Sequence, residues 1–237
     1  MGKGDKIIIA LDVNSMEEME KLVSELRSVV KIFKIGSELF ASCGFQAIDM
    51  VRQKGGKIFL DLKFHDIPNT VIHASRAITR YGIHMFTVHT MGGFDMMKGA
   101  VEASREEASR LKTPPPLILG VTILTSMSAK DISSVGIDGT VPDEVLRLAK
   151  LAEQAGLSGV VASPREVALL RKNLKKDFLI VTPGVRPLWS RKNDQERVAT
   201  PKEAIKSGAD YLVIGRPITA AEDPKSAAEK IISEIGD

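Results

Sequence analysis

Cysteine is almost missing from this sequence of 237 residues: Cys43 stands alone, so no internal disulfide can form. A lone thiol fits a reducing, cytoplasmic setting. With no His-rich neighbourhood, Cys43 reads as a small buried residue rather than a nucleophile. Aromatic residues are scarce at 5%, with one Trp and two Tyr, yet 43% of the chain is hydrophobic. The core must therefore be built mainly from Val, Ile, Leu, Ala and Met. Charge of one sign is not in useful excess, because 33 Lys and Arg face 30 Asp and Glu. No Lys/Arg block is present, so neither composition nor pattern argues for nucleic acid. No stretch approaches the roughly 20 apolar residues of a membrane helix. The run Ile7–Leu11 is too short for a signal segment, and an Asp follows it at once. A soluble, unprocessed chain is expected. There is no GxGxxG or Walker motif, and no His/Asp/Glu set has clear metal-ligand spacing.

What is present is alternation. Short apolar runs at Lys6–Asp12, Lys31–Gly36, Lys57–Lys63, Met85–Thr90, Leu117–Leu124, Gly159–Ser163, Phe178–Thr182 and Tyr211–Gly215 alternate with helical patterns. The helical patterns are Ser15–Val30, Ser37–Lys54, Asn69–Tyr81, Phe94–Leu111, Pro142–Ala155, Pro164–Asn173, Pro201–Ser207 and Pro224–Ile235. Alternating β and α units imply parallel strands with crossover helices. Eight such units in about 240 residues predict a single (β/α)8 TIM barrel spanning residues 1–237. Asn14/Ser15 with Glu17 and Glu18 mark a helix start, and Gly55, Gly82, Gly156 and Gly208 mark helix ends. No linker breaks the chain. The two longest connections, 125–141 and 183–200, follow strands, on the face where barrel enzymes keep their sites.

Period-two alternation sorts the strand charges. Asp61 and Lys63 share a face, while Ile58, Leu60 and Leu62 take the other. Lys34 opposes Phe33 and Ile35, and Asp12 opposes Leu11 and Ile9. Three successive strands thus carry a charge toward the barrel mouth, and Asp66 follows in the next loop. A single such charge would be a strand-end solvation residue or a structural ion pair. Five together point to chemistry. Three carboxylates should keep the two lysines protonated, which makes Lys63 a poor base but a good proton donor and counter-charge. A cation about 4 Å from a developing carbanion is worth roughly 4 kcal/mol at an effective dielectric near 20.

A second constellation lies near the end of the chain. Thr182-Pro-Gly-Val-Arg186 follows the seventh strand, and Ile214-Gly-Arg-Pro217 follows the eighth, with Pro217 suited to start a short helix. Loops after strands seven and eight form the common phosphate site of such barrels. Gly184 and Gly215 permit close approach to an anion, and Arg186 and Arg216 offer charge-assisted bonds. His65 is read as orienting its loop, His89 as a satisfied core or rim residue. The glycines of Met91-Gly-Gly93 are too few for a nucleotide motif.

At these residues the chain resembles the orotidine 5′-monophosphate decarboxylases of the bacterial type. The likeness centres on Asp61-Leu-Lys-Phe-His-Asp-Ile-Pro-Asn-Thr70. Ile8-Ile-Ala-Leu-Asp12, Lys34-Ile-Gly36, Val121-Thr-Ile-Leu-Thr-Ser126, Thr182-Pro-Gly-Val-Arg186 and Gly215-Arg-Pro217 follow in order. The resemblance implies decarboxylation to uridine 5′-monophosphate in pyrimidine synthesis, without metal or other cofactor. Lys63 would protonate C6 in an array with Asp61, Lys34 and Asp66, the last supplied by the partner of a homodimer. Asp12, Lys34 and the partner-supplied Thr70 would hold the ribose. Thr125 and Ser126 would contact the pyrimidine. Arg186, Gln195, Gly215 and Arg216 would bind phosphate, with Pro183 beside them and Gln195 on a closing loop. Rival readings are a magnesium-dependent sugar-phosphate decarboxylase or aldolase of related type, and a barrel that binds uridine 5′-monophosphate without turnover. A histidine- or tryptophan-pathway isomerase would leave Lys34 and Lys63 without a role.

Overall fold

The computed structural model describes residues 2–190 and 199–236. Its strands are β1 (Ile7–Ala10), β2 (Ile32–Gly36), β3 (Lys57–Phe64), β4 (Met85–His89), β5 (Leu117–Val121), β6 (Gly159–Val161), β7 (Leu179–Pro183) and β8 (Tyr211–Ile214). They are ordered by sequence and close into a barrel. The helices are α1 (Met16–Leu26), α2 (Ser37–Gln53), α3 (Pro68–Arg80), α4 (Gly93–Leu111), α5 (Ala129–Ser134), α6 (Val141–Gln154), α7 (Val167–Asn173), α8 (Pro201–Lys206), α9 (Arg216–Thr219) and α10 (Pro224–Glu234). The parallel (β/α)8 architecture read from the alternation is therefore present. Among the described residues no helix is long and apolar enough to cross a membrane.

The chain forms two compact units. The first joins Met1–Leu62 to Thr182–Asp237 and holds β1, β2, most of β3 and β8. β1 pairs with β2 on one side and β8 on the other, both parallel. Ile7, Ile8 and Ile9 are completely buried, because a parallel strand is covered on both faces. α1 starts at Ser15, whose hydroxyl accepts from the Glu18 N–H, and it buries Met19, Leu22, Val23 and Leu26 at helical spacing. α2 is interrupted at Gly44 (φ 56°), and Cys43 beside that break is half-buried rather than fully buried as expected.

The second unit, Lys63–Val181, holds β4, β5 and β6 with α3 to α7. β4, β5 and β6 pair in parallel register, and α3 packs along α4. Met96, Met97, Val88 and Leu119 are buried, and Phe86 is among the largest enclosed side chains. The scarcity of aromatics is thus offset by aliphatic and Met packing, as the composition requires.

Element ends differ from the sequence expectation for local reasons. β5 stops at Val121 rather than Leu124, and just past its end the Thr122 hydroxyl donates to the Val161 carbonyl at 3.1 Å, where a further strand residue would place its backbone N–H. α7 begins at Val167 rather than Pro164, since the Glu166 N–H closes a turn onto the Ser163 carbonyl. α5 lies in a connection read from sequence as loop. Its signal is a reciprocal cap, in which Ser128 accepts from the Asp131 N–H and Asp131 accepts from the Ser128 N–H.

Candidate active site

In the first unit, strand register brings three charged side chains together. Ala10 is level with Lys34 across β1 and β2, and Gly36 is level with Asp61 across β2 and β3. Asp12 and Asp61 therefore flank the end of β2. Lys34 reaches between them: its Nζ lies 3.0 Å from Asp12 Oδ1 and 3.8 Å from Asp61 Oδ2. The Lys34 and Asp61 side chains are largely shielded, at 11% and 14% exposure, whereas Asp12 is 58% exposed. The pair Lys34–Asp61 therefore sits in a poorly solvated setting, and Asp12 forms its wet rim.

Gly36 makes this arrangement sterically available. A Cβ there would fall 2.9 Å from Lys34 Nζ and 3.7 Å from Asp12 Oδ1. The missing side chain is the space that the ammonium occupies.

The same unit carries the two Gly/Arg turns. Gly184 has φ 76°, a left-handed conformation that a side chain would strain. The Arg186 N–H donates to the Ala199 carbonyl at 3.1 Å, tying the loop after β7 back toward its far end. Gly215 lies beside Asp12, where a Cβ would stand 3.7 Å from Asp12 Oδ2. α9 follows it, with Arg216 exposed in the first position, so Pro217 stands second in that helix rather than first.

In the second unit, the last two residues of β3 and the residue that follows each contact β4. The Lys63 N–H donates to the Thr87 hydroxyl at 2.9 Å. The Phe64 ring tilts against Phe86 at 6.0 Å between centroids. The His65 ring stacks on His89 at 5.1 Å. Lys63 itself has φ 52°. Left-handed backbone costs a residue with a Cβ about 1 kcal/mol or more, so the site stores strain at this lysine. Burial pushes the His89 imidazole below the usual histidine range, and the charges of His65 and Lys63 push the same way. His89 Nδ1 accepts from the Met91 N–H, at a long 3.4 Å, which calls for the neutral ring. Beyond the strand, Asp66 is exposed and its Oδ1 accepts from the Ile67 N–H at 2.6 Å.

The family model described as orotidine 5′-phosphate decarboxylase / HUMPS family matches residues 5–231. The chain belongs to that family. It is 54% identical over 230 residues to the orotidine 5′-phosphate decarboxylase of Syntrophotalea carbinolica, covering 97% of this chain and 94% of the relative. It is 52% identical to the enzyme of that name from Moorella thermoacetica, covering 98% and 92%. The crystal structure of orotidine 5′-phosphate decarboxylase from Lactobacillus acidophilus superposes with a TM-score of 0.85 at 40% identity, over 98% of this chain and all of that one.

Within this decarboxylase-family fold the expected residues separate into groups. Asp12, Lys34 and Asp61 meet in the first unit, where Pro183 also ends β7, Arg186 and Gly215 lie on loops and Arg216 opens α9. Lys63, Asp66 and Thr70 follow one another along the second unit, with Thr70 exposed in the first turn of α3. Thr125 and Ser126 are exposed, four and five residues past the end of β5. Gln195 lies outside the described residues. Among the described residues no cluster of three His, Cys, Asp or Glu is arranged to hold a metal ion.

Two features were not read from the sequence. Gly36 looked like a strand-ending glycine; its position two residues after Lys34, on the same face, was the available signal. Gly92 belongs to a glycine pair too short for a nucleotide motif, yet a Cβ at Gly92 would collide with Met96 and lie 3.3 Å from His65. Its bareness lets the His65 loop close down on α4.

Proposed function

We propose that the chain decarboxylates orotidine 5′-monophosphate to uridine 5′-monophosphate and carbon dioxide, working as a single catalytic domain in the cytoplasm without metal or cofactor. The observation that carries this reading is the Asp12–Lys34–Asp61 relay at the ends of β1, β2 and β3, in a family whose named members are decarboxylases. In the proposed reaction the C6–carboxylate bond breaks and its electron pair stays on C6. That pair lies in the ring plane, so the π-system cannot delocalise it. A fixed ammonium must therefore provide the stabilisation. Lys63 supplies the charge and then the proton, forming the C6–H bond and leaving a neutral amine that solvent reprotonates. Lys34 and Asp61 preorganise the field, and Asp12 with Lys34 holds the ribose hydroxyls.

Phosphate bound by Arg186, Gly215 and Arg216, with Pro183 beside them, supplies binding energy far from the reacting carbon. Gln195 serves the same group. Thr125 and Ser126 contact the pyrimidine. Asp66 and Thr70 are assigned to the neighbouring site of a homodimer. Their exposure supports this, as does Ile67 between them, an isoleucine 67% exposed that a subunit contact would cover.

The test follows the loss of orotidine 5′-monophosphate absorbance for the wild type and Lys63→Ala, each with and without EDTA. Turnover by the wild type in EDTA is expected, with kcat reduced at least about a thousandfold in the variant. Near-wild-type turnover by Lys63→Ala would sink the proton-donor role. Loss of wild-type activity in EDTA would favour a metal-dependent sugar-phosphate reaction.

A further inference from the structure

Among the described residues, Lys63 and Lys112 are the non-glycine residues with positive φ. Lys112 ends α4, where a left-handed residue is an ordinary helix stop. Lys63 lies inside β3, where strand continuity asks for extended backbone. A lysine in this conformation drifts back to extended φ unless its surroundings hold it. β4 provides a hold: Thr87 Oγ1 accepts the Lys63 N–H at 2.9 Å. Thr87 is fully buried at the centre of β4, between buried Phe86 and Val88. Its β-branched side chain has few rotamers open to it, so its hydroxyl is a fixed point.

The consequence concerns aim. Lys63 carries its ammonium on a flexible four-carbon stem. The direction in which that stem leaves the strand is set by φ at its own Cα. In extended backbone the side chain would leave at the angle that strand alternation dictates. At φ 52° it leaves at another angle. We propose that Thr87 is a positioning residue: its hydroxyl fixes the Lys63 backbone in the left-handed state and thereby aims the ammonium. The inference rests on the proposed role of Lys63 and extends it to a residue that touches no substrate.

Three variants, Thr87→Val, Thr87→Ser and Lys63→Ala, are assayed for decarboxylation beside the wild type. Valine keeps the shape and removes the acceptor, and serine restores it. Thr87→Val is expected to lose kcat by about tenfold or more, with KM within about twofold of wild type, because substrate binding is untouched. Thr87→Ser is expected within about threefold of wild-type kcat. A structural role alone would lower stability without this split and without rescue. Hydrogen exchange of the Lys63 amide in the wild type is the second measurement, and it stands if Thr87→Val does not fold. Protection of about a hundredfold or more is expected for a held N–H. Wild-type kcat in Thr87→Val, failure of serine to rescue, or an unprotected Lys63 amide would overturn the inference. If Lys63→Ala is inactive while Thr87→Val is unimpaired, only the Thr87 assignment fails. If Lys63→Ala is active, the reading of Lys63 fails first.

Discussion

Replacing Gly36 by alanine adds one carbon at the point where Lys34 reaches between Asp12 and Asp61. Gly36 has φ −93° and ψ −176°, extended backbone that alanine adopts without strain. The substitution also restricts the unfolded chain, which by itself stabilises by about 0.4–1 kcal/mol. The cost falls on one atom. The new Cβ would stand 2.9 Å from Lys34 Nζ, the mobile end of a long side chain. Relieving that contact moves the ammonium by about 0.5 Å, a shift small enough to leave the fold intact.

The electrostatic loss can be sized. Stretching the 3.0 Å Lys34–Asp12 pair by about 0.5 Å costs roughly 0.8 kcal/mol at an effective dielectric of 20, and less once solvent at exposed Asp12 is counted. Misplacement matters more, since an error of about 1 Å in a catalytic group costs on the order of a hundredfold in rate. A displacement of half that size predicts a fall in kcat/KM of about tenfold. Thermal unfolding and steady-state kinetics check the two halves. Tm should hold or rise while kcat/KM drops. Wild-type kcat/KM would refute the claim that Gly36 makes room for the ammonium. A steep fall in Tm would show that the carbon meets rigid backbone instead.

Two further outcomes follow, one from an ion cluster on α4 and one from the proposed dimer. Glu107 on α4 is clamped by Arg110 and Arg80, which hold its carboxyl down at about 2 against an ordinary value of 4.5. A depressed folded value means that the clamp's stabilisation is complete above pH 4.5 and is lost as pH falls toward 2. Glu107→Gln should therefore flatten the acid limb of stability in that window, measured by denaturant midpoints; an unchanged limb would assign acid sensitivity elsewhere. For the proposed dimer, mixing inactive Lys63→Ala and Asp66→Ala subunits should restore about a quarter of wild-type activity, because half the dimers are mixed and each then has one intact site. No recovery after confirmed subunit exchange would mean that Asp66 serves its own chain.

The barrel was legible in the sequence because each unit carries its own local signals. Buried parallel strands read as short apolar runs such as Ile7–Leu11, and the helices between them carry caps such as Ser15 and stops such as Gly55. Ends were less legible, since they depend on partners distant in sequence. Just past β5, the Thr122 hydroxyl donates to the Val161 carbonyl, on another strand. α5 was missed because its six residues have too few turns to show an apolar stripe, and its Ser128/Asp131 cap was its one local mark.

Lys63 shows where sequence reasoning about the site runs out. Its chemical type and its place after Asp61 were visible, and so were the charged residues around it in the sequence. Its direction was inferred from strand alternation, which holds only while every residue is extended. The left-handed φ at Lys63 ends that regime. Nothing in Asp61-Leu-Lys63 announces it, because the group that holds the conformation is a hydroxyl 24 residues away. Lys34 and Gly36 fail to signal for a related reason. The strand pattern gives the face on which Lys34 lies, but the empty volume beside it becomes meaningful only once register has placed Asp12 and Asp61 on either side. The charges of such a site are local properties of the chain. Their aim is a property of the neighbouring strands, and positional demands there are steep: catalytic groups must be held within about 0.5 Å. Substitutions at Gly36 and Thr87, neither of which carries charge, should therefore separate activity from stability more cleanly than removal of any carboxylate.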